Sequence, residues 1–326
     1  MTELVARSEA MREVVRLAAR VATTDANVLV TGESGAGKEA VARFVHSRSR
    51  RAAAPFVKID CAALPSELLE AELFGYERGA FTGATDAKPG RLEAADGGTL
   101  ALDEIAHLTT DAQAKLLRVI ERKEFERLGG RRTVRVNARL VAMTNVDLEE
   151  AVSRRSFRPD LFYRLNVVRI HVPPLRERPG DAAQLARQFL KTFARKHGRR
   201  AKRLSAGALA LLGEYEFPGN VRELAHVLER AVIVADGEEV GAEHLPEPLR
   251  AAAALRGRRG RRLTLAEVEA QYVAETLAAA RGNKSEAARL LGISRKNLYE
   301  KLARYGVGAG GQRSEVSKSR NSDTDL

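Results

Sequence analysis

With 326 residues, 44% hydrophobic and 30% charged, the chain has the size and composition of a globular protein with one sizeable domain and one or two small ones. No apolar run approaches the roughly 18 residues of a membrane span, residues 1–7 lack a signal-peptide core, the lone Cys61 has no partner in the chain, and the six histidines show no metal-ligand spacing; a membrane partner, a disulfide and structural zinc are therefore not expected, and the cytoplasm is the expected compartment. Of the formal charge of +12, most is C-terminal: residues 250–305 carry thirteen Lys and Arg against five Glu, which leaves about +4 for the first 249 residues, a nearly neutral engine followed by a basic module.

Taken in chain order, short β-branched or apolar runs at 28–31, 56–60, 99–103, 139–144 and 167–172 read as five strands. Helix-like stretches at 66–73 and 111–121 lie between them, so the first 174 residues call for an α/β fold: a parallel sheet with helices on both faces. After Pro173-Pro174 the periodicity is helical only, at 181–197, 205–214 and 220–236, which predicts a helical subdomain over 175–249 and a cleft between it and the sheet. Residues 250–262, rich in Ala, Arg and Gly, read as a basic linker to a last helical module at 263–305; the polar tail 306–326 is expected to be disordered.

The string Gly32-Glu33-Ser34-Gly35-Ala36-Gly37-Lys38 follows the first strand and opens a helix, the context that makes a glycine-rich segment a phosphate cradle. Glycines let backbone N–H groups close around phosphates, the helix N-terminus adds a favourable dipole, and Lys38 brings a positive charge to the β and γ phosphates of ATP. Glu39 stands where the general pattern has Ser or Thr to ligate Mg²⁺, so a magnesium ligand is expected elsewhere. Asp103, ending the strand Thr99-Leu100-Ala101-Leu102, suits that role through water, and Glu104 behind it suits orienting and deprotonating the attacking water. Asn145, at the end of the fourth strand, is placed to sense the γ-phosphate.

The segment Gly79-Ala80-Phe81-Thr82-Gly83-Ala84, preceded by Glu72-Leu73-Phe74-Gly75, is a glycine-flanked aromatic and hydroxyl suited to a mobile loop with an apolar tip. With it, the sequence resembles the bacterial enhancer-binding proteins, the sigma-54 activator branch of the AAA+ ATPases, across about residues 5–305. The segments 97–105, 157–166, 174–181 and 217–224 fall in the order the family shows. The resemblance implies that residues Gly79 to Ala84, Phe81 and Thr82 above all, touch sigma-54 and pass the hydrolysis cycle to the closed promoter complex. It also implies that Arg158 and Arg164 are arginine fingers reaching the ATP of a neighbouring subunit, that Arg222 senses nucleotide, and that the working form is a homo-hexamer assembled from dimers. Asp60 occupies a position where the family often has an Asn that holds the catalytic glutamate away until sigma-54 engages; an Asp there would repel Glu104 or share a proton with it. The ATPase motifs begin almost at Met1, so either a separate regulatory protein acts on the chain or the sequence is a truncated or stand-alone form.

Near the C-terminus, Lys284-Ser-Glu-Ala-Ala288-Arg-Leu-Leu-Gly292-Ile-Ser-Arg-Lys-Asn-Leu298 has helix-turn-helix spacing: a small residue lets two helices approach, Gly292 makes the turn, and Leu298 packs the second helix back. This module resembles the Fis-type domain of the same activators, and its expected contacts with upstream enhancer DNA are Lys284, Ser294, Arg295, Lys296, Asn297, Tyr299 and Lys301. The leading reading is thus a ring-forming ATPase that activates sigma-54 RNA polymerase. A DNA-bound regulator with little ATPase activity is the alternative; a generic P-loop unfoldase leaves the 79–84 loop and the helix-turn-helix unexplained.

Overall fold

The computed structural model of the chain describes residues 4–251, 265–280 and 282–305, and it divides into two units, 1–253 and 254–326. The first unit is built on β1 (Val28–Thr31), β2 (Phe56–Asp60), β3 (Thr99–Asp103), β4 (Arg139–Thr144) and β5 (Val168–His171), in the order β2-β3-β4-β1-β5 with every neighbouring pair parallel. The α/β sheet expected from the sequence is therefore present, its last strand one residue shorter at each end than the apolar run.

Strand periodicity divides the side chains between two cores. Leu29, Leu100, Leu102, Leu140 and Ala142 enter one, while Val28, Val30, Ala101, Val141 and Met143 enter the other. Helices α1 (Glu9–Ala22) and α2 (Lys38–Ser47) cover the second face with Met11, Val14, Ala18, Val41 and Val45. Helices α3 (Ser66–Phe74), α4 (Thr110–Arg122), α5 (Leu148–Ser153) and α6 (Pro159–Leu165) cover the first, together with Leu92 of the short helix Arg91–Ala94. Helix α1 is absent from the sequence reading, although its N-terminal signal is local. The hydroxyl of Ser8 accepts the Met11 amide at 3.3 Å, and the buried Arg139 closes the other end by donating to the carbonyls of Val21, Ala22 and Ala26 at 2.9, 3.2 and 3.2 Å. A cation there also complements the helix dipole.

Two antiparallel ladders project from this frame, Gly75–Tyr76 with Lys88–Pro89 and Glu124–Glu126 with Thr133–Arg135, and a bridge between Tyr76 and Leu128 joins them. Beyond β5, helices α7 (Asp181–Lys196), α8 (Ala206–Glu214) and α9 (Asn220–Val234) pack around Leu190, Leu212, Phe217, Leu224 and Leu228. This lid is fastened by Asp181: its fully buried carboxylate accepts the amides of Arg7 at 2.6 Å and Ser8 at 3.0 Å, and the Ser8 hydroxyl at 3.1 Å.

In the second unit, α10 (Leu265–Ala279), α11 (Lys284–Leu290) and α12 (Arg295–Tyr305) bury Val273, Ala287, Ala288, Leu298 and Leu302. Gly292, at φ +66, makes the turn between α11 and α12. Most of the basic linker and all of the tail 306–326 lie outside the described residues.

Candidate functional site

In an open parallel sheet, ligands gather at the C-terminal ends of the strands where the strand order reverses. Here β1 lies between β4 and β5, and its end leads into Gly32. Gly37 caps α2 in a left-handed conformation, φ +102, and a Cβ there would meet no protein atom within 4 Å, so the loop opens onto free space on the side of the helix N-terminus. Lys38 is buried; its ammonium donates to the carbonyls of Gly32 at 2.9 Å and Glu33 at 3.2 Å and stands 3.5 Å from Glu104 Oε1.

The acids close the opposite wall. Lys58, midway along β2, places its Nζ 2.8 Å from Asp103 Oδ2 and 2.8 Å from Glu39 Oε2. Burial pulls the Lys58 ammonium down, but hydrogen bonds and charge from Asp103 and Glu39 outweigh it and its pKa is raised. Glu39 mirrors this: burial raises its carboxyl, and Lys58 with Arg43 draws it below the ordinary range. Nothing in the sequence singled out Lys58, because its role depends on two residues brought to it by other elements. Glu104 holds φ +52, a strained conformation for a residue with a side chain, and its Oε2 accepts the backbone amide of Asn145 at 3.1 Å. Asp60 faces Asp103 in register but turns Oδ1 to the Ala62 amide at 3.0 Å; among the described residues it makes no hydrogen bond to Glu104. Beside it, burial first and the acids Asp60, Asp103 and Glu104 next push the Cys61 thiol up to about 12, so it stays protonated.

The lid meets the phosphate loop directly. Gly35 accepts the Val221 amide at 3.0 Å through its carbonyl, and a Cβ on Gly35 would stand 2.5 Å from the Gly219 carbonyl oxygen, so only glycine lets the two backbones approach. Arg222 donates to the Ser34 hydroxyl at 3.0 Å. Asn220, fully buried at φ +54, accepts the Leu175 amide at 2.8 Å and donates to Glu33 at 3.0 Å and the Ser34 carbonyl at 3.1 Å. Glu33 also takes both arms of Arg176, at 2.9 and 2.6 Å; that pair, then Asn220, holds its carboxyl down at about 2. The buried Arg178 donates to the carbonyls of Pro173 and Ala36. A pocket of about 390 Å³ results, lined among others by Lys38, Lys58, Asp60, Asp103, Glu104 and Arg222.

Arg158 and Arg164 stand apart from this pocket. Arg158 grips Asp160 at 3.1 and 2.7 Å, its amide anchored on Gln113, and Arg164 pairs with Glu121 at 3.1 Å. Among the described residues neither guanidinium contacts the phosphate loop or Asp103-Glu104, and the Arg164 side chain is 60% exposed. In the 79–84 segment, the Gly79 amide donates to the Ala84 carbonyl at 2.8 Å and the Ala84 amide to the Phe81 carbonyl at 3.0 Å. The turn lifts Phe81, 41% exposed, edge-on to the Tyr76 ring at 5.0 Å. Ala80 lies against Gly129 of the neighbouring hairpin, where a Cβ would come within 2.8 Å of the Ala80 Cβ.

In the second unit, Ser294, Arg295, Lys296 and Asn297 are exposed at the start of α12, with the Ser294 hydroxyl accepting the Asn297 amide at 3.2 Å. Lys284 sits with its ammonium 4.9 Å from the centroid of the exposed Tyr299 ring. Lys301 corrects the outward placement expected from its spacing. It turns back onto α10 and engages Glu269, which also accepts the Tyr305 hydroxyl.

A glycine-rich loop on a parallel sheet, paired acids at an adjacent strand end and a helical lid touching the loop together define an AAA+ P-loop NTPase. The matches to known proteins agree. Residues 4–171 match the sigma-54 interaction domain, 176–261 an AAA+ ATPase lid domain, and 264–305 the bacterial regulatory proteins of the Fis family. The chain is 46% identical over 318 residues to the transcriptional regulatory protein FlbD of Caulobacter vibrioides, covering 93% of this chain and 70% of that one. It is 44% identical over 312 residues to the regulatory protein AtoC of Escherichia coli, covering 93% and 68%. Among solved structures, NtrX of Brucella abortus in complex with ATP is similar with a TM-score of 0.70 at 37% identity, over 94% of this chain and 70% of that chain. The chain belongs to the sigma-54-dependent transcriptional activators and carries a DNA-binding helix-turn-helix of the Fis type.

Proposed function

We propose that the chain hydrolyses ATP in a ring of identical subunits, a hexamer assembled from dimers, and uses the cycle to remodel the closed complex of sigma-54 RNA polymerase while its helix-turn-helix holds upstream enhancer DNA. The observation that carries the reading is the division of the catalytic groups. One pocket gathers Lys38, Asp103 and Glu104, whereas Arg158 and Arg164 lie outside it on an exposed flank. A guanidinium supplied from a neighbouring subunit is worth roughly 10³ to 10⁵ in the rate of phosphoryl transfer, so a pocket whose finger arginines lie outside it depends on assembly.

Within the pocket, the loop's backbone and Lys38 hold the β and γ phosphates. Magnesium suits the acidic wall, because Asp103 sits where an ammonium is already stable 2.8 Å away; bound through water to Asp103, it would neutralise charge developing on the phosphates. Glu104, fixed by the Asn145 amide, orients water and accepts its proton, and the Asn145 side chain, Arg222 and Ser34 report nucleotide to the strand end and the lid. Asp60, in register with Asp103, stands at the position where the family often has the Asn that holds the catalytic glutamate away. Phe81 and Thr82, in the Gly79 to Ala84 turn, touch sigma-54. The test is the specific rate of phosphate release from ATP against protein concentration: it rises as subunits assemble, and a constant rate per subunit down to the monomer contradicts the shared site.

A further inference from the structure

The near-neutral charge of the first 249 residues hides a strong asymmetry. Residues 182–213 contain eight Lys and Arg and no Asp or Glu, while the rest of that region carries thirty-one Lys and Arg against thirty-five acids. All eight belong to the lid. Arg187, Lys191 and Arg195 recur at i, i+4 and i+8 along α7, exposed on one side of the helix, and Arg199 and Arg200 continue the run in the loop that follows. Among the described residues these five have no carboxylate partner. The remaining cations are engaged at the margin: Lys196 with Glu229, Lys202 with Glu238, and Arg203 3.6 Å from Glu239. Beside the stripe runs a groove of about 420 Å³ lined by Gln184, Arg187, Gln188, Lys191, Lys202 and Arg203, along with leucines and no acid.

Surface cations on a folded domain ordinarily alternate with acids, and segregating five unpaired ones costs self-repulsion unless a polyanion relieves it. From Arg187 to Arg195 the helix rises about 12 Å, which matches some three to four base pairs along one DNA strand at about 3.4 Å each. Glutamine amides beside the cations add neutral donors for phosphate and sugar oxygens. The same chain holds DNA through α11 and α12, only a short sequence away from the lid, and tethering raises the effective concentration of that duplex at any second basic surface. We infer that the α7 face of the lid is a second, sequence-independent DNA-binding surface that grips the phosphate backbone of the duplex held by the helix-turn-helix.

The test uses the full chain and a fluorescent duplex of arbitrary sequence, with log Kd measured against log salt. Each phosphate contact contributes about 0.9 to the slope, so the triple variant Arg187→Gln/Lys191→Gln/Arg195→Gln should lose roughly 2 to 3 from it, while preference for a specific site over random duplex is retained. The variant Arg187→Lys/Arg195→Lys, with the charge kept, should retain the wild-type slope. In a background with Arg295→Ala/Lys296→Ala the lid contribution should persist, which separates this surface from the helix-turn-helix. An unchanged slope in the triple variant with a wild-type melting curve overturns the inference and leaves an acidic protein surface as the better occupant. An equal slope loss in the charge-preserving variant also overturns it.

Discussion

Replacing Asn220 tests the joint between lid and phosphate loop. In Asn220→Ala the Leu175 amide, buried and bonded at 2.8 Å, loses its acceptor, and a stranded buried donor costs about 1–3 kcal/mol. The backbone at φ +54 adds about 1–2 kcal/mol, because alanine lacks the local hydrogen bonding that lets asparagine occupy the left-handed region. The sum, about 2–5 kcal/mol, corresponds to a fall in melting temperature of roughly 4–20 °C for a unit of this size. Glycine at the same position removes the backbone cost and keeps the hydrogen-bond loss, so Asn220→Gly should recover about 1–2 kcal/mol of that deficit. Calorimetric melting of the three proteins in one buffer reads both quantities. An alanine variant within 2 °C of wild type, or a glycine variant less stable than alanine, refutes the reasoning.

Other consequences follow from the same geometry. Glu104→Gln keeps its contact with the Asn145 amide but cannot take a proton, so ATP should still bind while phosphate release falls about 10²–10⁴-fold, measured by single-turnover assay. Arg158→Ala and Arg164→Ala should each depress hydrolysis by about 10³-fold or more with nucleotide affinity kept, and should move the melting temperature little because their ion pairs are surface ones. Glu33 has a folded value of about 2 against an ordinary 4.5, so the stabilisation from its pairing with Arg176 is complete above about pH 4.5 and is lost as pH falls toward 2. The melting difference between wild type and Arg176→Ala should accordingly be constant from pH 7 to 5 and shrink below 4.5; a difference that grows there contradicts the assignment.

What the sequence made legible was local or periodic. The phosphate loop announces itself by glycines between a strand and a helix, the five strands by apolar runs, and the helix-turn-helix by the spacing of Ala288, Gly292 and Leu298. The contacts that unite these pieces were not legible, because they join residues far apart in the chain. Asn220 reaches Glu33 across 187 positions and Arg178 reaches the Ala36 carbonyl across 142; the segments that hold them were recognised one by one, but no periodicity or spacing pairs them. Lys58 was hidden for the same reason, one lysine on a strand whose meaning comes from Glu39 and Asp103. Lys301 shows the converse error: its spacing places it with the outward residues of α12, and only the packing of α10 reveals Glu269 as its partner. The lid's basic stripe was masked by summation, since a net charge over 249 residues averages the acid-free segment 182–213 with a slightly acidic remainder.

The central claim is that ATP turnover drives polymerase remodelling through the 79–84 turn. It is tested most directly by open-complex formation at a sigma-54 promoter with purified protein, sigma-54 RNA polymerase and ATP, comparing wild type with Thr82→Ala. The account predicts that wild type opens the promoter and that Thr82→Ala hydrolyses ATP without opening it. If neither protein opens the promoter while both bind its upstream DNA, the chain is a DNA-bound regulator acting without remodelling, and the account is wrong.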